Sequence, residues 1–175
     1  MRTTSEYGLE IQAVGLTTRK TRGEAAEAAF LAKAAGMGFG VAKPWGDSER
    51  YDFIVDSGHN FWRVQVKSTQ RFAESRYRVK TSGCKDSIYT GAQIDFLVAY
   101  LVPEDIWYIV PVAEIASRRG LRFYPHGGAK ARLEKYREAW CQMACPRTED
   151  GPGQVLVERR CAKASATCGV CDLCR

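Results

Sequence analysis

Two histidines, and no glycine-rich loop placed to open a helix, leave this chain short of common catalytic and phosphate-binding groups. His59 lies in a turn and His126 in a Pro-His-Gly-Gly loop. Neither has a neighbour at metal-ligand or acid–base spacing, so both read as solvent-facing loop residues. The glycines from Gly36 to Gly40 stop a helix, which argues against a phosphate loop. No apolar run is long enough to span a bilayer. There is no internal repeat and no low-complexity tract. The N-terminal stretch MRTTSEYGLEIQAVGLTTRK lacks the apolar segment of a secretory signal. A cytoplasmic location is therefore expected, with the seven cysteines as thiols or metal ligands instead of disulfides. Cys84 has no partner histidine and makes a poor nucleophile.

What is present fits one soluble domain. The chain has 175 residues, 45% of them hydrophobic and 26% charged, enough for a single core. Residues 1–20 show no sustained period and are expected to be weakly ordered. GEAAEAAFLAKAAGMG then predicts a helix, with Thr21-Arg22-Gly23 as its cap and Gly36 and Gly38 at its end. Ala26, Ala29, Phe30, Lys33 and Met37 fall on one side of it. A short strand from Phe39 to Ala42 precedes KPWGDSER. Next, RYDFIVDSGHNFWRVQVKS reads as two strands joined by a turn from Ser57 to Asn60. Further strands are expected at Arg76 to Thr81, Asp95 to Val102 and Trp107 to Val112. A last helix is expected from Gly128 to about Met143, with Leu133, Tyr136, Trp140 and Met143 at helical spacing.

The paired strands concentrate the chemistry. Side chains alternate, so Gln65 and Lys67 share one face while Val64 and Val66 take the other. On the preceding strand Tyr51, Phe53 and Val55 form the apolar set and Asp52 points away from them. Pairing brings a carboxylate, an amide and an ammonium together, a combination suited to a divalent cation and a phosphodiester. Mg²⁺ takes one or two carboxylates plus water and phosphate oxygens. Asp52 would be the main carboxylate, with the Gln65 side-chain carbonyl and the Val66 backbone carbonyl completing the protein half of the shell. Glu27, on the first helix, is the best second carboxylate, and Lys67 would stand beside the attacking water.

The net charge is +6, and it is concentrated. From Phe61 to Lys85 there are seven basic residues (Arg63, Lys67, Arg71, Arg76, Arg78, Lys80 and Lys85) against one acidic, Glu74. Beside a candidate metal site such a run favours a nucleic acid, though a solvated strand and loop is the plainer reading of charge alone. Tyr77, Tyr89 and Tyr100 read as core or rim residues before base-stacking ones.

Gly23-Glu24-Ala25-Ala26-Glu27, Pro44-x-Gly46-Asp47-x-x-Arg50-Tyr51-Asp52 and Arg63-Val64-Gln65-Val66-Lys67 together resemble the PD-(D/E)XK nuclease superfamily. The resemblance is to its branch related to group I intron homing endonucleases, and it runs from about residue 21 to residue 143. It implies an α/β, restriction-endonuclease-like core: a mixed central sheet flanked by helices. It assigns Asp52 and Glu27 to metal and water coordination, Gln65 to the second motif position and Lys67 to the catalytic lysine. The implied function is Mg²⁺-dependent DNA hydrolysis, with Mn²⁺ as a possible substitute. Cleavage of both strands needs two sites, so a homo-oligomer is expected. Arg50-Tyr51 stands where the family name has proline. Gln65 carries no charge, which keeps open a second reading, a non-catalytic nucleic-acid-binding module of the same fold.

The tail, residues 144–175, carries Cys161, Cys168, Cys171 and Cys174. It reads first as loosely ordered, reduced thiols. A zinc or iron–sulfur site on these four is the second option, since zinc ribbons usually pair two knuckles across a hairpin. Cys141 and Cys145 are expected to pack on the last helix.

Overall fold

A computed structural model of the chain describes residues 18–46, 48–83, 87–115 and 118–144. The four tail cysteines, Cys84, Lys85 and Cys145 lie outside the described residues.

The first helix, α1 (Arg19–Gly36), begins earlier than its composition suggests. Thr18 is the cap: its Oγ1 accepts the Thr21 N–H at 3.1 Å, so Thr21 lies inside the first turn. Gly38 adopts φ +86° just past the end, where a side chain would be disfavoured. Ala26, Phe30 and Ala34 are the buried face; the two alanines let the helix lie close to the sheet. Lys33 instead reaches outward to Glu138 at 3.8 Å.

The strands are β1 (Gly40–Ala42), β2 (Phe53–Asp56), β3 (Phe61–Thr69), β4 (Phe72–Ala73), β5 (Arg76–Lys80), β6 (Phe96–Leu101), β7 (Ile106–Pro111) and β8 (Gly120–Phe123). A five-stranded sheet has the order β1-β2-β3-β6-β7. It is mixed: β3 and β6 run parallel, with Gln65 opposite Leu97 and Lys67 opposite Ala99, and the other pairs are antiparallel. This is the expected mixed sheet. A second sheet, β4-β5-β8, was not expected. Its β4 and β5 lie within the crossover that the parallel β3–β6 pair requires, a connection more often made by a helix, and β8 joins them from beyond β7.

Alternation along the strands divides the core in two. Phe53, Val55, Trp62, Val64, Val66, Phe96, Val98, Trp107 and Ile109 pack under α1. Leu97, Ala99, Tyr108 and Val110 face the second sheet, where Tyr77, Val79, Leu121 and Phe123 cover them. Tyr51 packs with this second group, not with Phe53 and Val55. The chain bends at Asp52, so Tyr51 leaves the apolar set assigned to it from alternation.

The expected helix from Gly128 to Met143 does not form. The segment has a short 3-10 turn at Glu134–Tyr136 and one helical turn, α2 (Cys141–Ala144). The outer edge of β7 explains why. Edge strands carry unpaired backbone groups that need partners. Trp107 O accepts the Glu138 N–H at 2.8 Å, and Glu138 Oε1 accepts the Trp107 N–H at 2.8 Å. Arg137 bridges Tyr108 across the same edge, and Glu138 takes φ +46° to make the turn. Leu133, Tyr136, Trp140 and Met143 are nevertheless buried, as their spacing indicated. Among the described residues no helix is long and apolar enough to cross a membrane.

Candidate active site

The site lies where β2 ends and β3 continues. The β2–β3 ladder stops at Phe53 opposite Val64, leaving the edge of β3 from Gln65 onward without its β2 partner. Asp52, one residue before β2, fills that gap. Its Oδ2 accepts the Val66 N–H at 2.8 Å and a hydrogen bond from the Gln65 side-chain amide. Groups on opposite faces of the sheet can meet at this open edge. Glu27 comes from the α1 side, while Gln65 and Lys67 come from the other. Glu27, Asp52, Gln65, Val66 and Lys67 line one cavity of about 440 Å³, together with Arg22 and Ser68.

Asp52 is the most perturbed carboxylate of the site. Burial raises its pKa from 3.8 to about 6, and the nearby Glu27 charge adds to this. The Val66 N–H, Lys67 and Lys43 work in the other direction without restoring the usual value. A carboxylate raised this far by burial and walled by a second carboxylate is short of positive charge. That electrostatic deficit fits a divalent cation. No group of three or more His, Cys, Asp and Glu side chains able to hold a metal exists among the described residues; the cavity offers two carboxylates, Asp52 and Glu27. This number suits a cation that keeps water and phosphate oxygens in its shell.

Three details differ from the reading of the motif alone. Gln65 turns its amide N–H toward Asp52 and toward Val66 O at 3.2 Å, so its carbonyl would meet a cation only after the amide rotates. Glu27 is paired with Lys43 Nζ at 2.7 Å, a cation that sequence reasoning did not single out. Lys67 Nζ lies 5.7 Å from the Tyr89 ring centroid, and Arg50 approaches the same ring at 5.3 Å. Tyr89 thus helps hold the lysine in place. The signal for Lys43 was weak: its partner is in a helix and it sits before Pro44 in an irregular stretch.

The basic run divides by role. Arg63, expected as a nucleic-acid contact, is engaged within the fold. Its guanidinium binds Asp95 at 3.1 and 3.2 Å, Gly91 O at 2.7 Å and the carbonyl of Ala92, which ties β3 to the entry of β6. Asp95 is buried, and the pair fixes the parallel register. Arg76 pairs with Glu74. Arg78 and Lys80 are exposed on β5. Arg71 lines an open groove of about 390 Å³ with Arg22 and Ser68, residues that also line the cavity beside Asp52. His126 meets Glu104 at 3.2 Å, away from the cavity. Tyr77 and Tyr89 are buried, as expected of core residues, and Tyr100 stacks on Trp107 at 3.9 Å.

A helix and a mixed sheet that bring an acidic residue before one strand beside a Gln-x-Lys on the next define a nuclease core of the restriction-endonuclease-like fold. The chain belongs to the PD-(D/E)XK endonuclease family, whose profile matches residues 17–143. Among solved structures it is similar to a bacterial homing endonuclease, I-Ssp6803I, at 30% identity and a TM-score of 0.64, covering 73% of this chain and 91% of that one. A second likeness is to Hjc, a Holliday junction resolvase from the archaeal hyperthermophile Archaeoglobus fulgidus. It has 17% identity and a TM-score of 0.44, covering 61% of this chain and 90% of that one. No curated protein sequence matches.

Proposed function

We propose that this chain is a DNA endonuclease that depends on a divalent cation, Mg²⁺ or Mn²⁺. The observation that carries the reading is Asp52: a buried carboxylate raised to about 6, beside Glu27 and Lys67 on an open cavity. Asp52 and Glu27 would hold the cation, with the Gln65 carbonyl joining after its amide rotates. When bound, such a cation polarises the phosphate and lowers the pKa of a bound water. Lys67 faces the cavity and offsets negative charge on the phosphate during attack by water. The water oxygen bonds to phosphorus as one ester phosphorus–oxygen bond breaks; the water gives up a proton to solvent, and the leaving oxygen takes one up to become a hydroxyl. Arg22, Ser68 and Arg71 continue the cavity into a groove that can follow a phosphate backbone. Because each chain supplies one site, cleavage of both strands points to a homo-oligomer.

Gln65 favours a second reading. Its amide N–H already donates to Asp52, which partly satisfies the carboxylate without a metal. A binding module of this fold would bind DNA in a salt-sensitive way and break no strand. Nicking of supercoiled plasmid in Mg²⁺ separates the two. Asp52→Ala and Lys67→Ala are each expected to cut the rate by roughly 1,000-fold, since the metal site and its charge partner supply several kcal/mol. Equal activity in all three proteins would overturn the assignment, and DNA binding without cleavage in either metal would establish the second reading.

A further inference from the structure

Of the four tryptophans, Trp62, Trp107 and Trp140 are at most 2% exposed, whereas Trp45 is 101% exposed. Among the described residues the Trp45 ring stacks on no other aromatic ring. Its display is built into the backbone. Pro44 restricts the chain before it, and Gly46 takes φ +76° after it. Those two neighbours, with Lys43 and Tyr51, line a cavity of about 350 Å³ that shares Glu27 and Asp52 with the catalytic one. Trp45 thus lies in the chain between two residues that line this cavity, with its ring out in solvent. The surroundings are mixed in charge: Arg19, Lys20 and Lys43 stand with Glu24, Glu27, Glu49 and Asp52 there, and Arg22 lines the adjoining cavity.

A bare indole contributes little to folding, because nothing covers it. Its flat face suits stacking on a nucleobase, an interaction that tolerates any base. In an intact duplex both faces of each base are covered by neighbours. An indole finds a free face only where a base is unpaired or a step is opened.

We propose that Trp45 stacks on an unstacked base next to the scissile phosphate, and that the protein therefore prefers DNA with a locally opened step. This rests on the nuclease reading above. The three other tryptophans are shielded, so acrylamide quenching and the long-wavelength edge of the emission report Trp45. Titration at low salt with a chelator present, so that no strand is cut, compares a fully paired duplex with one carrying a single unpaired base. The bulged duplex is expected to shield Trp45 and to bind more tightly than the paired one. Trp45→Ala should melt with the wild type, lose roughly 5- to 150-fold of affinity for the bulged duplex, and change little toward the paired one. Equal affinity of the wild type for both duplexes, an unchanged Trp45 signal on binding, or an alanine variant that binds normally overturns this inference and leaves the nuclease reading intact. Quenching that follows protein concentration without DNA assigns Trp45 to a protein interface and also overturns it. A wild type that neither binds nor cuts DNA overturns both.

Discussion

Asp52 and Glu114 show two treatments of a carboxylate in one small fold. Burial acts to raise both. At Glu114 the hydrogen bond from Tyr136, at 2.9 Å, and the charges of Lys135 and Arg132 outweigh it, so the pKa is held below its ordinary value. At Asp52 the compensating groups do not suffice, and the pKa stands near 6. The Glu114 pattern recurs around the second core, where Tyr77 donates to Glu104 at 3.0 Å and Tyr108 to Glu134 at 2.9 Å. Those phenols are raised in turn, first by burial and then by their bond to a carboxylate. One region resolves its charges internally; the other leaves a deficit at a cavity. The contrast teaches that the site can be recognised by what the fold leaves uncompensated.

The largest effect that tests this contrast is on stability. A carboxylate whose pKa is raised on folding binds more protons in the native state, so its contribution is present at low pH and lost as pH rises from about 4 through about 6. At roughly 1.4 kcal/mol per pH unit this amounts to about 3 kcal/mol. Asp52→Asn is therefore expected to be up to about 3 kcal/mol more stable than the wild type in urea unfolding at pH 7, with the difference vanishing below pH 4. A variant less stable than the wild type at pH 7 would show that Asp52 is already satisfied.

Tyr136→Phe probes the opposite region. It removes a hydrogen bond to a charged acceptor and should cost about 1.5 kcal/mol, with the Glu114 carboxyl titrating at higher pH by NMR. Smallest is Glu114→Gln, which keeps the acceptor for Tyr136 but drops two partly exposed ion pairs. Less than about 1 kcal/mol is expected, lost mainly above the Glu114 pKa. A gain in stability on removing Glu114 would erase the distinction between the two regions.

How much of this could be read from residues depends on the range of the contacts. Gln65 and Lys67 were legible because alternation along β3 places them on one face, and the four-residue turn brings Asp52 opposite them even though the chain bends there. The helix bearing Glu27 was legible from its alanines, while its cap was missed by one turn because Thr18 and Thr21 are chemically alike. The pairing of Arg63 with Asp95 was not legible, because charge is visible in a sequence and a partner 32 residues away is not. The second sheet escaped notice because β4 and β8 are too short to show a period and β8 pairs with β5 from far along the chain. The final helix failed for the same kind of reason: the unpaired Trp107 backbone claims Glu138 and prevents a regular helical run.

The two edges of β3 have different folding histories. The β2 side closes through the turn from Ser57 to Asn60, with Ser57 N–H reaching Asn60 O at 3.0 Å. The β6 side closes only after the segment from 70 to 95 has crossed over, and Arg63 then locks Asp95 in register. Loop closure over a longer segment costs more entropy, and such non-local pairings slow folding. The hairpin carrying Gln65 and Lys67 is thus expected to form first and the parallel partner that stiffens it later, an order that pulsed hydrogen exchange during refolding would read. A nascent chain has its charged groups in order before it has the rigidity to use them.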